Sequence, residues 1–120
     1  MERLFHYYYA SEKFAGAVHS LATGRGDVRS RLWDAYMEIH AVREENIPDP
    51  LKEDFDWIMK MLTKSEPLYG RTRVETTLKM MRNQTGEKIA ERICNLQYKL
   101  KSFIEEAHRR RDQLLLKRRV

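Results

Sequence analysis

The longest regular pattern in the chain is found at residues 86–119, which read GEKIAERICNLQYKLKSFIEEAHRRRDQLLLKRR. Its apolar residues are spaced alternately four and three positions apart, at Ile89, Ile93, Leu96, Leu100, Phe103 and Ala107. This spacing predicts the buried face of an amphipathic helix. Because no proline interrupts the stretch and no glycine follows Gly86, the helix is expected to run for about 50 Å at 1.5 Å per residue. We predict that the other helices pack against it.

Four further helices are predicted before this one, because apolar residues recur at the same spacing between turn-forming residues. They are expected over about residues 2–22, 28–45, 49–64 and 73–82. The sequence shows no convincing strand, and the short connections favour antiparallel neighbours. The predicted fold is therefore all-α: an antiparallel helical bundle of four long helices plus one short helix, with a long C-terminal helix.

Local signals mark the expected helix ends. Asp27 and Asp49 are predicted N-caps, the latter with Pro50 at the first helical position. Thr72 and Glu75 have the spacing of a capping box.

The first helix is predicted to end at a glycine and to bury a mixed stripe. Gly24 is suited to the left-handed conformation that follows many helices, and residues 83–86 are expected to form the turn before the last helix. The predicted buried stripe consists of Leu4, Tyr8, Ser11, Phe14, Val18 and Leu21.

The net charge of +5 is concentrated at the C-terminal end. Residues 1–107 contain 17 Lys/Arg and 17 Asp/Glu, whereas residues 108–120 contain six Lys/Arg and only Asp112. We therefore divide the chain into a helical bundle domain, 1–107, and a basic C-terminal extension of the last helix, 108–120.

Composition limits the cellular setting. Cys94 is the only cysteine, so one chain can form neither a disulfide nor a thiolate metal cluster, and we expect this side chain to be buried as a small hydrophobe. No signal peptide is recognisable, and no apolar run approaches the ~20 residues that span a bilayer. We expect a soluble, cytoplasmic protein.

No motif in the sequence indicates catalysis. A Gly-x-Ser-x-Gly elbow and a Gly-rich phosphate loop are both missing. Glu105 and His108 form one Glu-x-x-His pair, a pattern that di-iron bundles use twice. We predict no enzyme, no cofactor and no metal site; if catalysis exists, Glu105, His108 and His40 are the residues to test.

A second basic group lies near the expected start of the second helix. Arg25, Arg29 and Arg31 surround Asp27, and a helix N-terminus can bind an anion. We favour a helix–helix turn with solvated arginines; the alternative is that the group forms an anion-binding patch.

The C-terminal extension carries the most specific signal, because two basic blocks flank three consecutive leucines. The predicted partner-binding residues are Arg109, Arg110, Arg111, Leu114, Leu115, Lys117, Arg118 and Arg119. If the last helix runs past the others, its leucines lack an intramolecular partner. It then frays, packs on a second copy or another protein, or binds a polyanion such as nucleic acid or an anionic membrane. We predict a non-enzymatic interaction module; the alternative is a nucleic-acid-binding accessory protein.

Overall fold

The structure is a computed structural model that describes residues 2–118. In that range the chain forms five α-helices and no strand, which confirms the all-α helical bundle. The helices are α1 (Glu2–Thr23), α2 (Val28–Ile39), α3 (Lys52–Thr63), α4 (Arg73–Met80) and α5 (Asn83–Arg118). Two 3₁₀ turns, Glu44–Asn46 and Asp49–Leu51, connect α2 to α3.

Helix α5 is the longest element, as predicted, and its apolar face forms one side of the core. Ile89, Ile93, Leu96 and Leu100 are fully buried against α1, α2 and α3. Beyond them the buried position is Ile104, whereas the predicted Phe103 and Ala107 are half-buried. Phe103 lies at the edge of the core, where its ring packs edge to face against Tyr7 of α1.

The buried face of α1 differs from the predicted stripe. Its core residues are Ala10, Phe14, Ala17 and Leu21, so the prediction is correct for Phe14 and Leu21 and wrong for Tyr8, which is exposed. Leu4, Ser11 and Val18 are half-buried. Small alanines face the core because α1 packs closely against both α2 and α5, and a tyrosine at the same position would hold the helices apart.

The turn between α1 and α2 confirms one cap and corrects another. Asp27 is the N-cap of α2 and accepts hydrogen bonds from the backbone amides of Arg29 and Ser30. Gly24 is not the left-handed residue, because its amide continues the helical bonding to the Ser20 carbonyl at 2.8 Å. The chain reverses at Gly26, whose φ is +89°.

Helix α2 ends at Ile39, six residues before the predicted end. The following segment leaves the helix because it buries Val42, Asn46 and Ile47 against the bundle. The Asn46 side-chain carbonyl accepts a hydrogen bond from the Arg43 amide at 2.8 Å, which closes this turn.

The predicted start of α3 at Asp49 is also wrong. Because residues 49–51 form a 3₁₀ turn, α3 begins only at Lys52, whose side chain pairs with the Asp49 carboxylate at 2.7 Å. The inner face of this segment consists of Leu51, Phe55, Ile58 and Leu62, which are buried.

The start of α5 is different from the predicted turn. Residues 83–86 are already helical, and Gly86 is buried where α5 crosses the start of α2. Before it, the Thr72–Glu75 capping box of α4 is confirmed, and α4 ends at Met80. Cys94 lies on the exposed side of α5, so the prediction that it is buried is wrong.

Candidate interaction surface

The last ten residues of α5 run past the rest of the bundle. We call residues 109–118 the overhang; every residue in it is exposed. Among residues 2–118, the last side-chain hydrogen bond between α5 and another helix joins His108 Nε2 and the Tyr8 hydroxyl of α1. Their rings lie 5.7 Å apart, and Tyr7 meets Phe103 edge to face at the same distance. The boundary predicted at residues 107/108 therefore lies inside one continuous helix.

The leucines of the overhang are not covered by the part of the chain that the structure describes. Leu114, Leu115 and Leu116 are 62%, 50% and 65% exposed. Ala107, Arg110, Arg111, Leu114, Leu115 and Arg118 line a shallow surface depression together. Ala107, Leu114 and Leu115 recur at helical spacing after Leu100 and Ile104, so the apolar face of the bundle continues along the overhang.

A second apolar feature lies where α1 begins. We call it the end groove: a cavity of about 200 Å³ lined by Leu4, Phe5, Tyr8, His108 and Arg111. The Phe5 side chain is 79% exposed. The end groove and the leucines of the overhang therefore form neighbouring apolar surfaces at one end of the molecule.

The basic residues of the overhang divide into paired and unpaired groups. Arg109 and Arg110 bind the Glu106 carboxylate at 2.6 and 3.3 Å. Within residues 2–118, Arg111, Lys117 and Arg118 form no ion pair. Arg119, the remaining predicted contact residue, lies outside the described residues.

An acidic segment that the sequence analysis missed lies at the same end of the bundle. Residues 44–56 contain six Asp/Glu and one Lys, a net charge of −5. Its position is fixed by Asn46, whose side-chain amide lies 3.4 Å from His6 Nδ1 on α1. A count of charge along the chain would have found the segment, but its location depends on tertiary structure.

Part of the acidic segment is engaged by the bundle itself. The Asp54 carboxylate forms ion pairs with Arg92 at 3.3 Å and with Lys99 at 3.0 Å, both on α5. Glu44 and Glu45 are exposed, and no described residue forms an ion pair with either. These two carboxylates lie within the 3₁₀ turn Glu44–Asn46.

The arginines near α2 have intramolecular roles. Arg29 pairs with Asp27 at 2.9 Å and donates to the Met81 carbonyl, while Arg31 donates to the Leu21 carbonyl at 3.0 Å. The Arg29 guanidinium and the amides of α2 hold the pKa of Asp27 below its ordinary value. Arg25 is exposed. The N-terminus of α2 is thus occupied by Asp27, and the anion-binding patch stays a prediction.

Of the residues named for catalysis, Glu105 and His108 lie about one turn apart on α5, and no hydrogen bond joins either of them to His40 in the described chain. Glu105 is exposed, His108 bonds to Tyr8, and His40 lies beside Tyr36 just after α2. The described residues contain no group of three or more His, Cys, Asp and Glu side chains placed to hold a metal ion. Among the helices described, none combines the length and apolar character needed to cross a membrane.

Comparisons of the chain with protein-family models, with curated proteins and with solved structures found no match. The overhang, the end groove and the acidic segment are therefore the features from which a function is assigned.

Proposed function

We propose that this protein is a non-enzymatic interaction module that self-associates through the overhang of α5. The observation that carries the proposal is the exposure of Leu114, Leu115 and Leu116 on a helix that extends past its own bundle. Contiguous exposed apolar surface next to polar residues is typical of sites that bind another protein. We assign the role to the cytoplasm, since a single unpaired cysteine is typical of a reducing compartment.

The leucines favour a protein partner over a polyanion. Phosphate binding requires only cations, whereas three neighbouring leucines gain free energy only when another apolar surface covers them. Two of the five basic side chains of the overhang, Arg109 and Arg110, are already paired with Glu106.

A second copy is the partner that the geometry fits best. Dimers related by a two-fold axis use the same patch on both chains. Two overhangs packed antiparallel to each other satisfy this condition, because both chains then use the same segment. Each overhang is an exposed helical segment of ten residues, about 15 Å long at 1.5 Å per residue. A free helix of that length is marginal in water, so pairing would also protect the overhang from fraying.

The test is the molar mass of matched variants by size-exclusion chromatography with light scattering. The variant Leu114→Ser/Leu115→Ser is expected to be a folded monomer, whereas the wild type is expected to be a dimer. The control is Leu68→Ser, which removes a leucine of similar exposure from the loop before α4 and should leave the dimer intact. Equal masses for the wild type and the overhang variant would contradict the proposal.

Nucleic-acid binding is the second candidate, favoured by the exposed, unpaired Arg111, Lys117 and Arg118 of the described chain. Three phosphate contacts would give a slope of roughly −3 in a log–log plot of affinity for duplex DNA against salt. Fluorescence anisotropy with labelled DNA and RNA measures this salt dependence for the full chain and for the 1–107 truncation. Salt-sensitive binding that requires the overhang would support this candidate, and no binding at low salt would remove it.

A further inference from the structure

The end groove is an apolar site that the chain cannot fill with its own leucines. Its volume, about 200 Å³, exceeds the 150 Å³ of an engineered cavity that binds benzene, so an aliphatic side chain fits. Leu114 lies six residues beyond His108, which places it about 9 Å further along the same helix. Because α5 continues as one helix, Leu114, Leu115 and Leu116 lie beyond the end groove of their own chain and cannot turn back into it. The leucines that can enter it belong to another molecule.

The charges of the overhang and of the acidic segment indicate that this other molecule is a second copy of the chain. Residues 109–118 carry five basic side chains and Asp112, a net charge of +4, whereas residues 44–56 carry −5. Two overhangs side by side repel each other unless their cations meet carboxylates. The acidic segment supplies those carboxylates next to the end groove, because Asn46 contacts His6 and Phe5 is the neighbour of His6 in α1.

We infer that the overhang of one copy seats in the end groove of a second copy, with its basic tip on the acidic segment of that copy. This inference rests on the self-association proposed above and names its contacts. If a two-fold axis passes near Gln113, the end of one overhang lies at the level of His108 in the other copy. Leu115 then lies at the level of Arg111, which lines the end groove. Lys117 and Arg118 follow it towards Glu44 and Glu45.

Charge reversal on the two surfaces tests the pairing. The first variant, Lys117→Glu/Arg118→Glu, reverses the tip, and the second, Glu44→Lys/Glu45→Lys, reverses the receiving segment. Each variant alone places like charges together twice in the dimer, so its dissociation constant at low salt is expected to rise roughly tenfold or more. An equimolar mixture places opposite charges together at both contacts and should recover the affinity of the wild type.

The control reverses two exposed cations at the other end of the bundle, Lys79→Glu/Arg82→Glu, and should dimerise as the wild type does. Sedimentation velocity at two salt concentrations measures all the species, and circular dichroism verifies that each is folded. High salt should reduce the differences among the variants, because it screens exposed charges.

The outcomes separate this inference from the proposed function. If the leucine variant is monomeric but both charge variants dimerise as the wild type does, self-association stands and the assigned contacts are wrong. The same conclusion follows if the mixture does not recover. If the wild type is monomeric at every concentration, both proposals are wrong. If the wild type stays monomeric yet binds generic DNA, and only the tip variant loses that binding, the overhang binds a polyanion instead.

Discussion

Gly86 is the position where one methyl group should have the clearest effect on stability. A Cβ atom at this residue would lie 2.8 Å from Val28 Cγ1 and 3.3 Å from Leu32 Cδ1, whereas carbon atoms in contact prefer about 3.5–4.0 Å. Both neighbours are buried, and Val28 has few rotamers to choose from. Overpacking of this kind costs about 1–3 kcal/mol. Alanine gains at most about 1 kcal/mol over glycine in a helix, so Gly86→Ala should lose up to about 2 kcal/mol.

Gly16→Ala is the matched control, since this glycine also lies inside a helix. The atom that its Cβ would meet, at 2.8 Å, is a carboxylate oxygen at the end of the Glu38 side chain. Glu38 is exposed and free to rotate away. The same substitution should therefore stabilise the protein by about 0.5–1 kcal/mol, through the lower backbone entropy of the unfolded chain.

Urea unfolding followed by circular dichroism measures both effects. All proteins are compared at one concentration, because self-association makes the midpoint depend on concentration. The expected order of midpoints is Gly16→Ala, then the wild type, then Gly86→Ala. A midpoint for Gly86→Ala above that of the wild type would refute the close approach of α5 to α2.

Three further predictions concern caps and single groups. Thr72→Ala should cost about 1 kcal/mol in urea unfolding, because it removes the N-cap of α4, whereas Thr72→Ser should cost less. Hydrogen bonds from Arg29 and from the Thr72 amide lower the pKa values of Asp27 and Glu75, respectively, in the folded protein. Their stabilising contribution is present above the ordinary pKa range of carboxyl groups and is lost as the pH falls through that range. The urea concentration at the unfolding midpoint should therefore decrease once the pH is below about 4. A urea midpoint that increases at this pH would contradict the sign of the effect. Burial of part of Cys94 raises its pKa, but the residue is exposed, so a disulfide reagent should modify the native protein, more slowly than a free thiol; reaction only after unfolding would show that it is buried.

The face of α5 shows what periodicity predicts and where it stops. Ile89, Ile93 and Leu96 were predicted correctly because a long helix has one dominant apolar side. Further along, Phe103 and Ile104 are adjacent, and the sequence does not show which of the two faces inward. The burial of Ile104 depends on which helices lie beside that turn of α5, because at 3.6 residues per turn Phe103 and Ile104 flank the centre of the apolar face on opposite sides.

Helix ends were predictable where the signal is local. Thr72 and Asp27 cap their helices through side-chain to backbone bonds within three residues, and both were predicted. The early end of α2 was not, because it follows from burying Val42 and Asn46 against distant parts of the bundle. Tertiary packing outweighs helix propensity in such a segment.

The candidate site was predictable only where it depends on local sequence, and not where it depends on tertiary packing. The overhang follows from the length of the last helix and the position of its basic residues and leucines. The end groove depends on where α1 begins relative to His108, and the acidic segment depends on the contact between Asn46 and His6. These are distances between residues far apart in the chain, and the pattern of one sequence does not contain them.

The most direct test of self-association is the mass of the unmodified protein by sedimentation equilibrium over a concentration series. One chain has a mass of 14.4 kDa. Covered leucines on paired overhangs predict a mass that rises with concentration to twice this value and stops there. A mass of one chain at every concentration would contradict self-association through α5.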